Sequence, residues 1–163
     1  MQLSLEGLED YLARIAEHLE RYGVVLNLER SEPLIIQNSP SGAMSFELRG
    51  FLPDGRIPPL STLEVRERWR RLSPDHLERW EYEFELLDHE RDVRRAFHLH
   101  DAEAFIRRLH VVVHEHCEHP IGTTPCDHIS GPPVRDAFHG VELLLQAWID
   151  PSIPDCAAMT CLE

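Results

Sequence analysis

Apolar residues recur every three or four positions at the start of the chain: Leu5, Leu8, Leu12, Ile15 and Leu19 follow Ser4, and Gly23 follows Tyr22. That spacing lines one face of a helix, with Ser4 as its capping acceptor and Gly23 at its end, so a first helix is predicted. Two short apolar runs, Val24-Val25-Leu26 and Leu34-Ile35-Ile36, then read as strands on either side of polar residues and Pro33.

From residue 44 the period changes to two, the signature of strands with one buried face. Phe46 and Leu48 alternate with Glu47 and Arg49, and Pro53-Asp54-Gly55 supplies a turn. Leu63, Val65 and Trp69 share one face of the next strand, with Glu64, Arg66, Arg68 and Arg70 on the other. Trp80, Tyr82, Phe84 and Leu86 then alternate with Arg79, Glu81, Glu83 and Glu85. Asp88 to Asp92 reads as a polar hairpin loop, and Val93, Arg95, Phe97 and Leu99 as the returning strand.

Ala102 to Leu109 fits a short helix or a wide loop, Val111-Val112-Val113 begins another strand, and Pro120 to Pro133 is loop-like. Val134 to Ile149 reads as a second helix, with Val141, Leu144, Leu145 and Trp148 on one side and Pro151 and Pro154 ending it. The predicted fold is α+β: a mostly antiparallel β-sheet meander flanked by an N-terminal and a C-terminal helix.

Composition narrows this picture. A chain of 163 residues with 42% hydrophobic content can build one sizeable core. Residues 1–161 are read as a single domain and 162–163 as a vector-derived tail. With no apolar run of ~20 residues and no leader-like N-terminus, a cytoplasmic protein without a membrane span is expected. Cys117, Cys126, Cys156 and Cys161 are then expected as reduced thiols. A net charge of −13 disfavours non-specific nucleic-acid binding, although arginines cluster locally at 66–71 and 91–95.

The concentrated chemistry lies between His98 and His128. Eight of the 11 histidines fall between residues 98 and 139. His98-Leu99-His100 and His114-Glu115-His116 share a spacing that, on strands, points both rings of each pair to one face. Phe97 and Leu99 take the opposite face, so His98 and His100 project away from the core. On neighbouring strands, His98, His100, His114 and His116 could hold zinc or another divalent metal, with Asp101 or Glu115 orienting a ring or acting as base. Cys117, His119, Cys126 and His128 form a secondary ligand set without the usual paired spacing. Without metal, the imidazoles could serve as acid and base while Arg94, Arg95 or Arg107 holds a phosphate, a constellation suited to RNA cleavage through the 2′-hydroxyl. Phosphate-cradling glycine loops, a G-x-S-x-G elbow and C-x-x-C are absent, which argues against nucleotide-dependent enzymes and common serine hydrolases.

Residues 44–148 resemble the TumE-type toxins of bacterial toxin–antitoxin pairs. The likeness runs through Phe46-Glu47-Leu48-Arg49 with Asp54-Gly55, the Thr62 to Arg71 strand, Trp80-Glu81-Tyr82-Glu83-Phe84, His98-Leu99-His100-Asp101 and His114-Glu115-His116. The chain departs from the family after the aspartate, where Ala102-Glu103-Ala104 replaces its usual Asn, Pro and paired His. The resemblance implies a cytoplasmic protein acting on RNA or another growth-essential target, an antitoxin partner, and roles for Asp101, His114 and His116. The alternatives are a metal-dependent hydrolase of a small molecule and a non-catalytic module that binds a basic protein.

Overall fold

Ser4 caps the first helix as its position predicts. In the computed structural model its Oγ accepts the Gly7 N–H at 3.0 Å, opening α1 (Leu5–Arg21). Gly23, at φ 76°, ends the helix where a side chain would be strained. The structure describes residues 1–26, 34–38, 42–53, 61–99, 107, 113–123, 126–128, 134 and 136–150, with backbone alone at 34–36, 113–114 and 126–128.

The described residues form nine strands: β1 (Gln2–Ser4), β2 (Val25–Leu26), β3 (Leu34–Asn38), β4 (Met44–Phe51), β5 (Thr62–Ser73), β6 (His76–Asp88), β7 (Val93–Leu99), β8 (Val113–Glu118) and β9 (Cys126–His128). They form one antiparallel sheet in the order β2-β4-β5-β6-β7-β8-β9, with β3 also on β4 and β1 also on β6. The second helix, α2 (Ala137–Ile149), begins three residues later than its pattern predicts. Asp136 is its cap, accepting the His139 N–H at 2.9 Å. The meander flanked by two helices is thus present. The 54–55 turn, the 102–109 segment apart from Arg107, and the tail from 151 lie outside the described residues.

One sheet face carries the core. Phe46, Leu48, Leu63, Val65, Trp69, Phe84 and Leu86 pack with Leu8, Leu12, Ile15 and Leu19 of α1 and with Val141, Leu144 and Leu145 of α2. Each such side chain contributes roughly 1.5–3 kcal/mol by leaving water. Gly140 lets α2 approach the sheet closely, because a Cβ there would meet Phe84 Cδ2 at 2.3 Å.

Two departures from simple alternation shape the rest. The β5–β6 register slips between Arg68 and Trp69, where Arg68 pairs Glu81 and Trp69 pairs Arg79. Trp80 is the extra residue of this bulge, which sends Arg79 inward and Trp80 to the outer face, the reverse of the expected sides. Inside, Arg79 Nη1 donates to Glu67 Oε1 at 2.6 Å, Tyr11 Oη donates to the same oxygen at 2.8 Å, and Trp69 Nε1 donates to Glu67 Oε2 at 3.0 Å. Tyr11 Oη also accepts the Ala137 N–H at 3.1 Å, tying both helices to this buried cluster.

The second departure lies in the region predicted as loop from 120 to 133, which contains β9. There Cys117 pairs Cys126 across the strands. Cys117 is disulfide-bonded and fully buried, which overturns its expectation as a free thiol. Among the described residues no helix is long and apolar enough to cross a membrane.

Candidate functional site on the open sheet face

The face away from the helices is a grid of charged side chains. In one row Glu47, Arg66, Glu83, His98 and His114 are direct cross-strand partners. In the next, Arg49, Glu64, Glu85, Ala96, His116 and Asp127 follow from β4 to β9. The hairpin fixes this alignment: Asp88 Oδ1 accepts the Glu90 and Arg91 N–H groups at 3.1 Å, and Asp92 adopts φ 58°. Asp88 then pairs Val93, and counting back places Glu83 opposite His98.

The histidine strands β7 and β8 are neighbours. His98 stands directly opposite His114, and the His98 and His116 rings stack with centroids 5.2 Å apart and planes 16° from parallel. The diagonal stack is possible because His116 stands opposite Ala96, whose small side chain leaves space for the ring to lean toward His98. Glu83 Oε1 lies 3.3 Å from His98 Nε2, and Glu118 Oε1 lies 3.5 Å from His116 Nε2. The two imidazoles therefore meet each other on one side and a carboxylate on another.

Arginines fix those carboxylates. Arg94 donates to Glu118 at 2.5 Å and also to Glu85, and its Nη2 lies 3.5 Å from Glu83. Arg66 donates to Glu83 at 3.1 Å and also to Glu64, which Arg49 reaches from β4. All 16 basic residues of the chain are arginine, whose planar fork suits bridging carboxylates on adjacent strands. Burial pushes the Glu64 carboxyl up against the pull of Arg66 and Arg49, and Glu85 opposite adds to the rise. Burial would also raise Glu118, but the Gly122 N–H and Arg94 outweigh it and hold that carboxyl below its usual range.

Several predicted site residues lie elsewhere. Arg95 and Glu115 face the core side and bond to each other at 2.7 Å, so they point away from the histidines. Arg94 does share the imidazole face, but carboxylates hold it, and it acts there as a positioning group. His119 is exposed in the turn after β8, and Arg107 is exposed. Cys117, in its disulfide, offers no thiolate, so the secondary set of Cys117, His119, Cys126 and His128 loses a ligand. His100 and Asp101 lie outside the described residues, as do the side chains of His114, Cys126 and His128. Among the described residues no group of three or more His, Cys, Asp or Glu is arranged to hold a metal ion.

Sequence reasoning missed Glu83 and Glu118 as partners of the imidazoles. The signal for Glu83 was available in the tight hairpin, which fixes the β6–β7 register. The signal for Glu118 was its two-residue spacing from His116 on the same strand face. The chain matches no family model, and no curated protein or solved structure is similar to it.

Proposed function

We propose that the chain is a toxin-like ribonuclease that cleaves single-stranded RNA through the RNA's own 2′-hydroxyl, with His98 and His116 as the acid–base pair. The observation that carries this reading is the stacked pair of imidazoles on the sheet face away from the helices, each beside a carboxylate and both largely covered. One imidazole takes the 2′-hydroxyl proton as that oxygen attacks phosphorus. The other gives its proton to the departing 5′ oxygen, leaving a 2′,3′-cyclic phosphate and a 5′-hydroxyl. Glu83 and Glu118 stabilise whichever ring carries the added proton. The likeness to TumE-type toxins points the same way and adds an antitoxin partner, a cytoplasmic location and a role for Asp101. In a reducing cytoplasm the Cys117 disulfide would be under pressure to open.

A second reading is a zinc-like centre in a metal-dependent hydrolase. It is favoured by one carboxylate beside each imidazole, Glu83 and Glu118, and by His114 standing opposite His98. Mixed imidazole and carboxylate donors suit such an ion. One experiment separates the two: chelator-treated protein is incubated with single-stranded RNA and the product ends are analysed. Cyclic phosphate ends formed without metal support the acid–base reading. Activity that returns only on adding zinc supports the second, and uncut RNA in both arms contradicts both.

A further inference from the structure

The open face pairs its arginines with glutamates row by row, so an RNA phosphate gains little from it and affinity has to come from elsewhere. The bulge at Trp80 offers a source. It places an indole among the charged side chains of the outer face, between the Arg70–Glu78 and Arg68–Glu81 pairs. Trp80 lines a cavity of 210 Å³ together with Gln37, Asn38, Met44, Ser45 and Arg68. Its Nε1 is shielded from solvent and donates to no acceptor among the described residues. A buried N–H without an acceptor is costly unless a ligand completes it.

We propose that this cavity binds a nucleobase of the RNA strand whose phosphate lies at His98 and His116, an inference that rests on the ribonuclease reading. A base is flat and aromatic and carries acceptors on its edge. It can stack on the face of the Trp80 indole, while an acceptor of a neighbouring nucleotide, lying in the ring plane, can take the indole N–H. The Gln37 and Asn38 amides, each both donor and acceptor, can meet its remaining edge groups. The Arg68 guanidinium, held at 2.9 Å by Glu81, borders the same space and can reach the adjoining phosphate. Trp80 lies three residues along β6 from Glu83, about 10 Å, and Arg68 lies two strands across and two residues along from His98, about 12 Å. The cavity and the imidazoles therefore share one face at a distance that a short run of nucleotides can span.

The test uses the full chain and two probes: a single-stranded RNA hexamer with a non-cleavable 2′-O-methyl backbone and an abasic hexamer of the same backbone. Wild type should bind the intact hexamer about tenfold or more tighter than the abasic one, the range base stacking supplies. Trp80→Ala should erase that difference and Trp80→Phe should restore most of it, with unchanged circular dichroism in both. Trp80→Ala binding the intact hexamer as tightly as wild type overturns the proposal, and so does equal wild-type affinity for the intact and abasic hexamers. Cleavage by His98→Ala is measured separately on ordinary RNA. Base-dependent binding without cleavage would remove the ribonuclease reading and leave the base site standing. Cleavage lost in His98→Ala but unaltered in Trp80→Ala, in rate and in KM, would overturn the base site alone.

Discussion

Glu67 and Arg79 pair beneath the helices, whereas Glu83, Glu85, Arg66 and Arg94 pair on the opposite face of the same sheet, and the two sets differ in what surrounds them. The inner pair has side chains 0% and 4% exposed, and every oxygen of Glu67 is met by Arg79, Tyr11 or Trp69. The outer set is partly wet, with Arg66 39% and Glu83 26% exposed, and each arginine reaches more than one carboxylate. A dry pair whose carboxylate oxygens are all taken is locked and can only hold the fold together. A wet grid with interchangeable partners can release a group to a ligand at small cost. The same residue types thus serve architecture on one face and are available for chemistry on the other.

The largest effect should come from breaking the inner pair. Glu67→Leu leaves the Arg79 cation buried without its carboxylate and should cost roughly 3–5 kcal/mol in urea unfolding. Glu67→Leu combined with Arg79→Leu should recover most of that loss, because two apolar side chains replace the pair. A double variant as unstable as the single one would show that the cluster has a role beyond neutralising its own charge.

Alkaline titration sharpens the contrast more gently. Burial pushes the Tyr82 hydroxyl up to about 12, and burial together with Glu67 raises Tyr11 further. Tyr22 is raised by its hydrogen bond to Glu142. A raised folded value means that this contribution to stability is whole below the ordinary tyrosine value of ~10 and is lost as pH rises through the folded values. Absorbance at 295 nm should therefore show little tyrosinate at pH ~10 in folded protein. A full tyrosinate signal there, before any loss of helix signal, would contradict the buried cluster.

The smallest effect belongs to the outer grid. Arg66→Gln should change stability by at most about 1 kcal/mol, less at high salt, since half-exposed pairs are screened. A loss comparable to that of Glu67→Leu would erase the distinction between the faces.

The alternation of Phe46 to Leu48, Leu63 to Val65 and Tyr82 to Phe97 made the sheet and its core face legible in the sequence. Ser4 and the leucine spacing did the same for α1. The His-x-His spacing placed His98 and His116 on the face away from the core, where they meet, because side-chain direction on a strand is local information. The bulge at Trp80 was not legible, since a one-residue slip depends on how β5 and β6 fit across the sheet. The period of two assigned Trp80 and Arg79 to the wrong sides for that reason. Alternation already put Arg95 with Phe97 and Glu115 opposite its flanking histidines; what it could not show was that the two would pair with each other on the buried face.

The central claim, that His98 and His116 divide the acid and base work on the open face, is tested most directly by the pH dependence of kcat/KM for RNA cleavage. Wild type should give a bell-shaped profile. His98→Ala and His116→Ala should each lose one limb, with rates lower by about 10²–10⁴-fold and unfolding midpoints close to wild type. Profiles that keep both limbs in either variant, or rates unchanged by both substitutions, would contradict the account.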